Sequence, residues 1–427
     1  MKIVVLAGSP KGETSVTVQY VRYLEKYLSK IEFKFFHISF RIKKIERDEK
    51  AFQDIIDEVQ NADAVLWAFP LYVLLVPAQY KRFIELIWER GVQDAFKDKY
   101  AAVLSTSIHF FDHTAHQYMR AICDDLEMNF SGAYSADMHD LKIPEQQKKL
   151  RLFGESFIRT VELGSTMPRH FFPIKETKLD YIPGDPPTKT DTQGRKVVIV
   201  HDAKKGQTNL LNMIKRMKSS FQHEVDVFNL HDVDIKGGCM GCLKCGQNYE
   251  CAYTGKDEYI DFYNKKIKTA HILVFAGAIS DRFLSSRWRL FFDRGFFNCH
   301  TPSLVNKQFA FLISGPLSQT WNIREVFDGY SQWQQSNLVD IVSDEVTSSS
   351  QLDEQISSLA ERCVWNALHG YKKPITFLGV GGHKIFRDDV FSNLRFVFQA
   401  DHRYFKSQDL YDFPRKKDWG ASFHNVF

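Results

Sequence analysis

Cysteine is scarce in this chain, seven residues in 427. An odd count in so long a chain argues against a disulfide scaffold and for a reducing compartment. Long apolar runs are missing as well. The longest, such as residues 272–279, fall far short of the roughly 20 residues that span a bilayer. The N-terminus has no secretory pattern, because Met1-Lys-Ile-Val-Val-Leu-Ala runs straight into Gly8-Ser-Pro. A cytoplasmic protein without membrane association is therefore expected. No long basic run occurs and the net charge is only +4, so nucleic acid is not an implied partner. Neither a Walker A loop nor a G-x-G-x-x-G fingerprint is present, which disfavours nucleoside triphosphates and the usual dinucleotide site.

The chain does contain ample material for cores. Hydrophobic residues make up 44% and aromatics 14%, with 36 Phe, at a length that implies two domains plus a tail. The sequence also repeats itself. Lys2-Ile-Val-Val-Leu, a short unalternating apolar run, reads as a buried parallel strand. A turn with Lys11, Gly12 and Thr14 and a helical pattern follow it. At an offset of 194, Lys196-Val-Val-Ile-Val is followed by Lys205, Gly206 and Thr208. Later blocks align at an offset of 208, Tyr80-Lys-Arg-Phe-Ile-Glu with Trp288-Arg-Leu-Phe-Phe-Asp. The offset grows across the segment that holds most of the cysteines, which reads as an insertion into the second copy.

Strands alternating with helical patterns in each copy predict an α/β protein of two doubly wound parallel-sheet domains in tandem. The expected division is 1–163, a proline-rich linker at 164–195, 196–369 with the cysteine insertion, and an aromatic-rich C-terminal extension at 370–427. Proline clustering makes the linker semi-rigid. The extension is too aromatic to stay solvated, so it should pack.

Ligands of such sheets bind beyond the carboxyl ends of the strands, which directs attention to three loops of the first copy. Gly8-Ser9-Pro10-Lys11-Gly12-Glu13-Thr14-Ser15-Val16-Thr17 sets hydroxyls and a cation just before a helix, whose free N–H groups suit a phosphate. Its alternative is an N-capped helix after a tight turn. Phe69-Pro70-Leu71-Tyr72 offers a stiff shelf for a flat ring, or an ordinary core loop. Ser105-Thr106-Ser107-Ile108-His109 ends a further strand with small polar groups. His109, Asp112, His113 and His116 have spacing that would put three imidazoles on one helix face. They offer a metal ligand set, polar surface, or, with His109 foremost, a proton donor to substrate.

In this order the three loops resemble the NADPH-dependent FMN reductase branch of the flavodoxin-like superfamily. The resemblance implies two flavodoxin-like domains and FMN as cofactor. Ser9, Lys11, Thr14, Ser15 and Thr17 would hold its phosphate; Pro70, Leu71, Tyr72, Thr106 and Ser107 would line its ring. NAD(P)H as donor is implied by the resemblance alone. The second copy departs from the pattern: Ser9-Pro10 becomes Ala203-Lys204, and Pro70 and Tyr72 become Ala278 and Ser280. A second FMN is not expected there.

Four cysteines, Cys239, Cys242, Cys245 and Cys251, stand in a C-x2-C-x2-C-x5-C run. Soft thiolates select zinc, copper(I) or an iron–sulfur cluster. Zinc usually takes two separated knuckles, and unligated redox-active thiols are the third alternative. The run also resembles that of iron–sulfur flavoproteins, which implies a [4Fe–4S] cluster on these four residues. The expectation is an FMN-dependent oxidoreductase that exchanges electrons between NAD(P)H or a redox partner protein, FMN and the cluster. Its rivals are a quinone or flavin reductase with structural or zinc-bound cysteines, which takes a small-molecule acceptor, and a carrier without a substrate pocket. In the family FMN commonly sits near a dimer interface. A homodimer is thus one expectation, and a fused pair that rebuilds the interface within one chain is another.

Overall fold

A computed structural model describes residues 1–176 and 179–412. Its first sheet comprises β1 (Lys2–Ala7), β2 (Glu32–His37), β3 (Ala64–Pro70), β4 (Tyr100–Thr106) and β5 (Asn129–Ala136). Their order is β2-β1-β3-β4-β5, and every pairing is parallel. The unalternating composition of β1 and β3 follows from burial on both faces. All seven residues of β3 are buried, as helices covering a parallel sheet on both sides require.

The second sheet contains β6 (Val197–His201), β7 (Asp226–Asn229), β8 (Ile272–Ser280), β9 (Phe283–Leu284), β10 (Gln308–Ser314) and β11 (Asn337–Ser343). Its path β11-β10-β8-β6-β7 is the first sheet's order read from the other edge. The short β9 turns back antiparallel on β8. Both domains thus have the flavodoxin-like order, with the switch point beside the first strand. Residues 38–63 of the first domain correspond in place to residues 230–271 of the second, so the extra chain does hold the cysteine run.

One apolar core runs through the facing sides of both domains. Helix Ala78–Glu89 lies against helix Ser286–Gly295, and the start of helix Asp112–Asp125 meets helix Trp321–Trp333. A Cβ at Gly329 would fall inside the ring of Phe111, so close approach needs glycine there. Between the domains, the chain from 164 to 195 is tied down along its course. Main-chain N–H groups of His170 and Phe171 both donate to Asp124 (3.0 Å each). Tyr181 is buried in the second domain, its hydroxyl donating to Asp353 at 2.5 Å. Side chains of both domains thus hold described parts of this segment.

The C-terminal extension packs, as its composition requires. Helices Phe377–Phe391 and Gln399–Ser407 bury Phe386, Val390, Leu394, Phe398 and Phe405. Residues 413–427 of that extension lie outside the described residues. Among the described residues no helix is long and apolar enough to cross a membrane.

Candidate functional site

The carboxyl ends of β1, β3 and β4 open into a cavity of about 400 Å³, within the range usual for small-molecule and cofactor sites. Its polar end is the loop after β1. Tyr80 supports this loop from beneath, its hydroxyl donating to Leu6 O at 2.6 Å. Gly8 is pressed against Phe69 and Tyr80, with no room for a Cβ. Helix Val16–Tyr27 begins with Ser15 as N-cap, yet the Ser15 side chain makes no capping bond, although the residue is 2% exposed. A buried cap hydroxyl left uncommitted beside free helix N–H groups is a ready anion site.

Ser9, Lys11, Ser15 and Thr17 line the cavity at that end. Thr17 and Thr106 share a 2.6 Å hydroxyl contact, which joins the first loop to the third. Thr14 turns away and donates to Lys11 O at 2.9 Å, so it shapes the loop and does not line the cavity. Pro70, Leu71 and Tyr72 form one wall, with Thr106, Ser107 and Ile108 beyond them. Burial pushes the Tyr72 phenol well above its ordinary range.

The opposite wall comes from elsewhere in the chain. The second domain contributes Gly241, Leu243, Phe296, His300 and Trp333, and the C-terminal extension adds Phe386, Leu394 and Phe398. The cavity is therefore closed between the two domains and roofed by the tail.

Residues 1–139 match the family model described as NADPH-dependent FMN reductase. Solved structures similar in fold include the NADH:FMN oxidoreductase EMOB in its apo form (17% identity, 40% of this chain and 94% of that one, TM-score 0.32). Another is the NAD(P)H:(acceptor) oxidoreductase FerB from Paracoccus denitrificans (19%, 38% and 98%, TM-score 0.30). A third is an FMN-dependent NADH-azoreductase from Bacillus anthracis (13%, 38% and 99%, TM-score 0.27). No curated protein matches the chain.

The residues present fit FMN. The uncommitted Ser15 hydroxyl, the helix N-terminus and Lys11 suit the phosphate. The apolar shelf at 70–72 suits a flat ring, and Thr106 and Ser107 offer partners for ring heteroatoms. The family match covers only the first domain. In the corresponding turn of the second domain a carboxylate stands where the first has Gly8. Asp202, at the end of β6, accepts from Ser285, and burial pushes its carboxyl up to about 6.

The cysteine loop packs on the back of the flavin-type loop. A small cavity of about 40 Å³ is lined by Cys239, Cys242, Cys245 and Cys251 together with Tyr72. Gln79 donates to Cys239 O at 3.2 Å. The thiols do not converge, however: among the described residues no group of three or more His, Cys, Asp or Glu side chains is placed to hold a metal ion. Cys242 is exposed, and Cys245 turns toward Phe296 O at 3.7 Å. Its partner there is Cys299, which pulls the Cys245 thiol down as its own is pushed up. The side chains as placed do not fit a [4Fe–4S] cluster.

The histidine set also disperses. His109 sits at the rim with its side chain half exposed and outside the lining, Nδ1 3.0 Å from Asp112, which raises its pKa. His113 pairs with Glu325 at 2.8 Å. His116 is buried against Ser105 at 2.8 Å, and burial lowers it to about 4. The helix starts only at Asp112, so His109, at φ +62° in the loop before it, does not share a helix face with His113 and His116.

Proposed function

We propose that the protein is an FMN-dependent NAD(P)H oxidoreductase that passes electrons to a small-molecule acceptor. The observation that carries this is the cavity itself, in which the three loops of the family-like domain meet a wall supplied by the second domain and the tail. Bound FMN would supply hydride acceptance and release in two- or one-electron steps. The chain's own residues do the rest. Ser9, Lys11, Ser15 and Thr17 anchor the phosphate, Pro70, Leu71 and Tyr72 set the plane of the ring, and Thr106 and Ser107 meet its polar edge. Leu243, Phe296, Phe386 and Phe398 exclude water from the opposite face. The family description supports NAD(P)H as donor. The matching strand order and the 194 and 208 offsets support a tandem duplication, with a fused second copy standing where a dimer partner would. They also support division of the chain at 1–163, 196–369 and 370–427.

The test is reconstitution of the full chain with FMN, followed by flavin quantification and NAD(P)H oxidation with and without a quinone. About one flavin per chain and acceptor-dependent turnover are expected. A chain that takes up no flavin overturns the proposal, and flavin uptake without small-molecule turnover favours a carrier that serves a redox partner protein.

A second reading rests on the four cysteines that share one cavity behind Tyr72. In it the loop would have to rearrange to bring these four thiols, which do not converge as placed, onto a soft metal or an iron–sulfur cluster. Anaerobic purification with iron, sulfide and zinc counted per chain tests it: about four irons support a cluster, one zinc a structural site, and neither leaves a thiol loop.

A further inference from the structure

His300 occupies a position in the cavity that none of the sequence motifs pointed to. It follows the helical turn Phe296–Asn298 in the second domain and lines the cavity, as Tyr72 and Gly241 do. The ring is held on every side. Its centroid lies 4.4 Å from that of Phe386 and 4.6 Å from that of Phe398, both from the C-terminal extension, and 5.2 Å from that of Phe296. Nδ1–H donates to Asp401 Oδ2 at 2.7 Å, and the His300 backbone N–H donates to the same carboxylate at 3.1 Å.

Asp401 is wholly buried and its other oxygen is also occupied, accepting from Thr301 Oγ1 at 2.9 Å. The Thr301 hydroxyl is in turn 2.7 Å from that of Tyr249. A sealed carboxylate with both oxygens engaged fixes the tautomer and orientation of its imidazole partner. Nε2 has no hydrogen bond among the described residues, and it is not one of the buried atoms sealed without a partner. With Nδ1 committed to Asp401, Nε2 is the ring nitrogen that remains for the cavity His300 lines.

Other proton-bearing groups there are less suited. Lys11 and His139 stand at the phosphate-type end, where Tyr20 ties Asp137 and Leu141 to the first helix. Burial makes the Tyr72 phenol a poor acid. Around His300 itself the remaining ionisable neighbours are Asp389 on helix Phe377–Phe391 and the adjacent Cys299 thiol.

We propose that His300, positioned by Asp401, donates the proton that completes two-electron reduction of a planar, uncharged acceptor of the quinone class in this cavity. The role rests on the flavin assignment above. Phe110, Trp333 and Phe386 near the ring end favour a flat apolar molecule over a charged one. A quinone becomes a hydroquinone by gaining a hydride equivalent and a proton. NAD(P)H supplies the hydride equivalent by way of FMN, and His300 Nε2–H supplies the proton. The imidazolium is left neutral, with Nδ1–H still bonded to Asp401, and recovers its proton from water. Asp401 acts only through His300 and is a positioning residue.

The experiment uses the full chain loaded with FMN and compares wild type with His300→Gln and Asp401→Asn in separate half-reactions. Reduction of FMN by NAD(P)H should stay within about twofold of wild type. Reoxidation by a para-quinone should slow by at least 10²-fold in His300→Gln, since a positioned general acid contributes about 10²–10⁴-fold. Reoxidation by ferricyanide, which needs no proton, should be unchanged. Asp401→Asn should slow the quinone step alone.

Wild-type quinone rates in His300→Gln, or equal slowing with both acceptors, overturn the proposal. Where His300→Gln folds poorly, His300→Asn is carried through the same half-reactions, and equal slowing with both acceptors again overturns the proposal. A readout independent of flavin is the imidazole NMR of the FMN-free chain. A downfield Nδ1–H signal lost in Asp401→Asn is expected, and its absence from wild type overturns the dyad. Failure of the wild type to bind FMN overturns the flavin assignment and this role with it, while the NMR signal still reports separately on the dyad.

Discussion

Asp293 accepts the backbone N–H of Ala78 at 2.7 Å, so a carboxylate of the second domain caps a helix of the first. The relation is reciprocal. Glu85 of that first-domain helix accepts the backbone N–H of Ser286 at 2.5 Å and its hydroxyl at 2.6 Å, which caps the start of helix Ser286–Gly295. Residue 85 and residue 293 are partners at the 208 offset, as are 78 and 286. The contact therefore has the self-complementary character of a twofold interface, inside one chain. Lys81 and Arg289, also offset partners, accompany the carboxylates. Lys81 Nζ donates to Ser280 O at 2.9 Å and Arg289 to Val73 O at 2.8 Å.

Both carboxylates are buried and each neutralises a buried cation on its own helix, so their removal should be costly. Asp293→Ala strands Arg289, and a buried pair broken on one side costs about 3–5 kcal/mol. Glu85→Ala should cost about 3–6 kcal/mol through two lost charge-assisted bonds. Urea denaturation of the full chain measures both. Losses under about 0.5 kcal/mol would mean that the interface does not depend on this exchange.

Asp202 makes a pH prediction. Burial raises its carboxyl to about 6, whereas the unfolded chain releases that proton near pH 4. The folded state thus holds an extra proton between those values. The stability this provides is fully present below about pH 4 and is lost as pH rises through about 6. Relative to wild type, Asp202→Asn should gain up to roughly 3 kcal/mol between pH 4 and pH 7. Denaturation midpoints of both proteins across that window test it, and parallel curves would sink it.

The alternation of buried parallel strands with helices and the three loops were legible in the sequence because the signals there are local. An unalternating apolar run, a glycine turn and a helix start lie within about 20 residues of each other. The cavity's second wall was not legible. His300 and Asp401 are 101 positions apart, and neither sits in a run whose spacing marks it. The cysteine run misled in the opposite direction. Its spacing is short enough for four ligands to meet, yet Cys245 is drawn off by Cys299, a residue 54 positions on whose approach no local pattern announces. Thr14 likewise sits correctly in the loop but spends its hydroxyl on Lys11 O.

The polar end of the cavity predicts a specific affinity pattern. Charge-assisted hydrogen bonds are worth about 1.5–3 kcal/mol, so Ser15→Ala and Lys11→Ala should each weaken FMN binding by roughly ten- to a hundredfold. Riboflavin, which lacks the phosphate, should bind both variants as it binds wild type. Flavin fluorescence titration reads both constants. Equal losses for the two ligands would place these residues away from the phosphate.

Gly241 joins the cysteine loop to the flavin-type loop. Its φ of +60° is one that residues with a Cβ rarely adopt, and a Cβ there would collide with the hydroxyl end of Tyr72. Gly241→Ala should therefore push Tyr72 off the cavity wall and weaken FMN binding about tenfold, or near 1.4 kcal/mol. Tyr72→Phe removes the colliding hydroxyl while keeping the ring. The double variant Gly241→Ala/Tyr72→Phe should then recover part of the loss, the remainder being backbone strain and the contact with ring atom Cζ, 2.7 Å from the added Cβ. The same titration decides the matter. If Gly241→Ala binds FMN normally, or if Tyr72→Phe gives no recovery, the cysteine loop does not hold the aromatic wall in place.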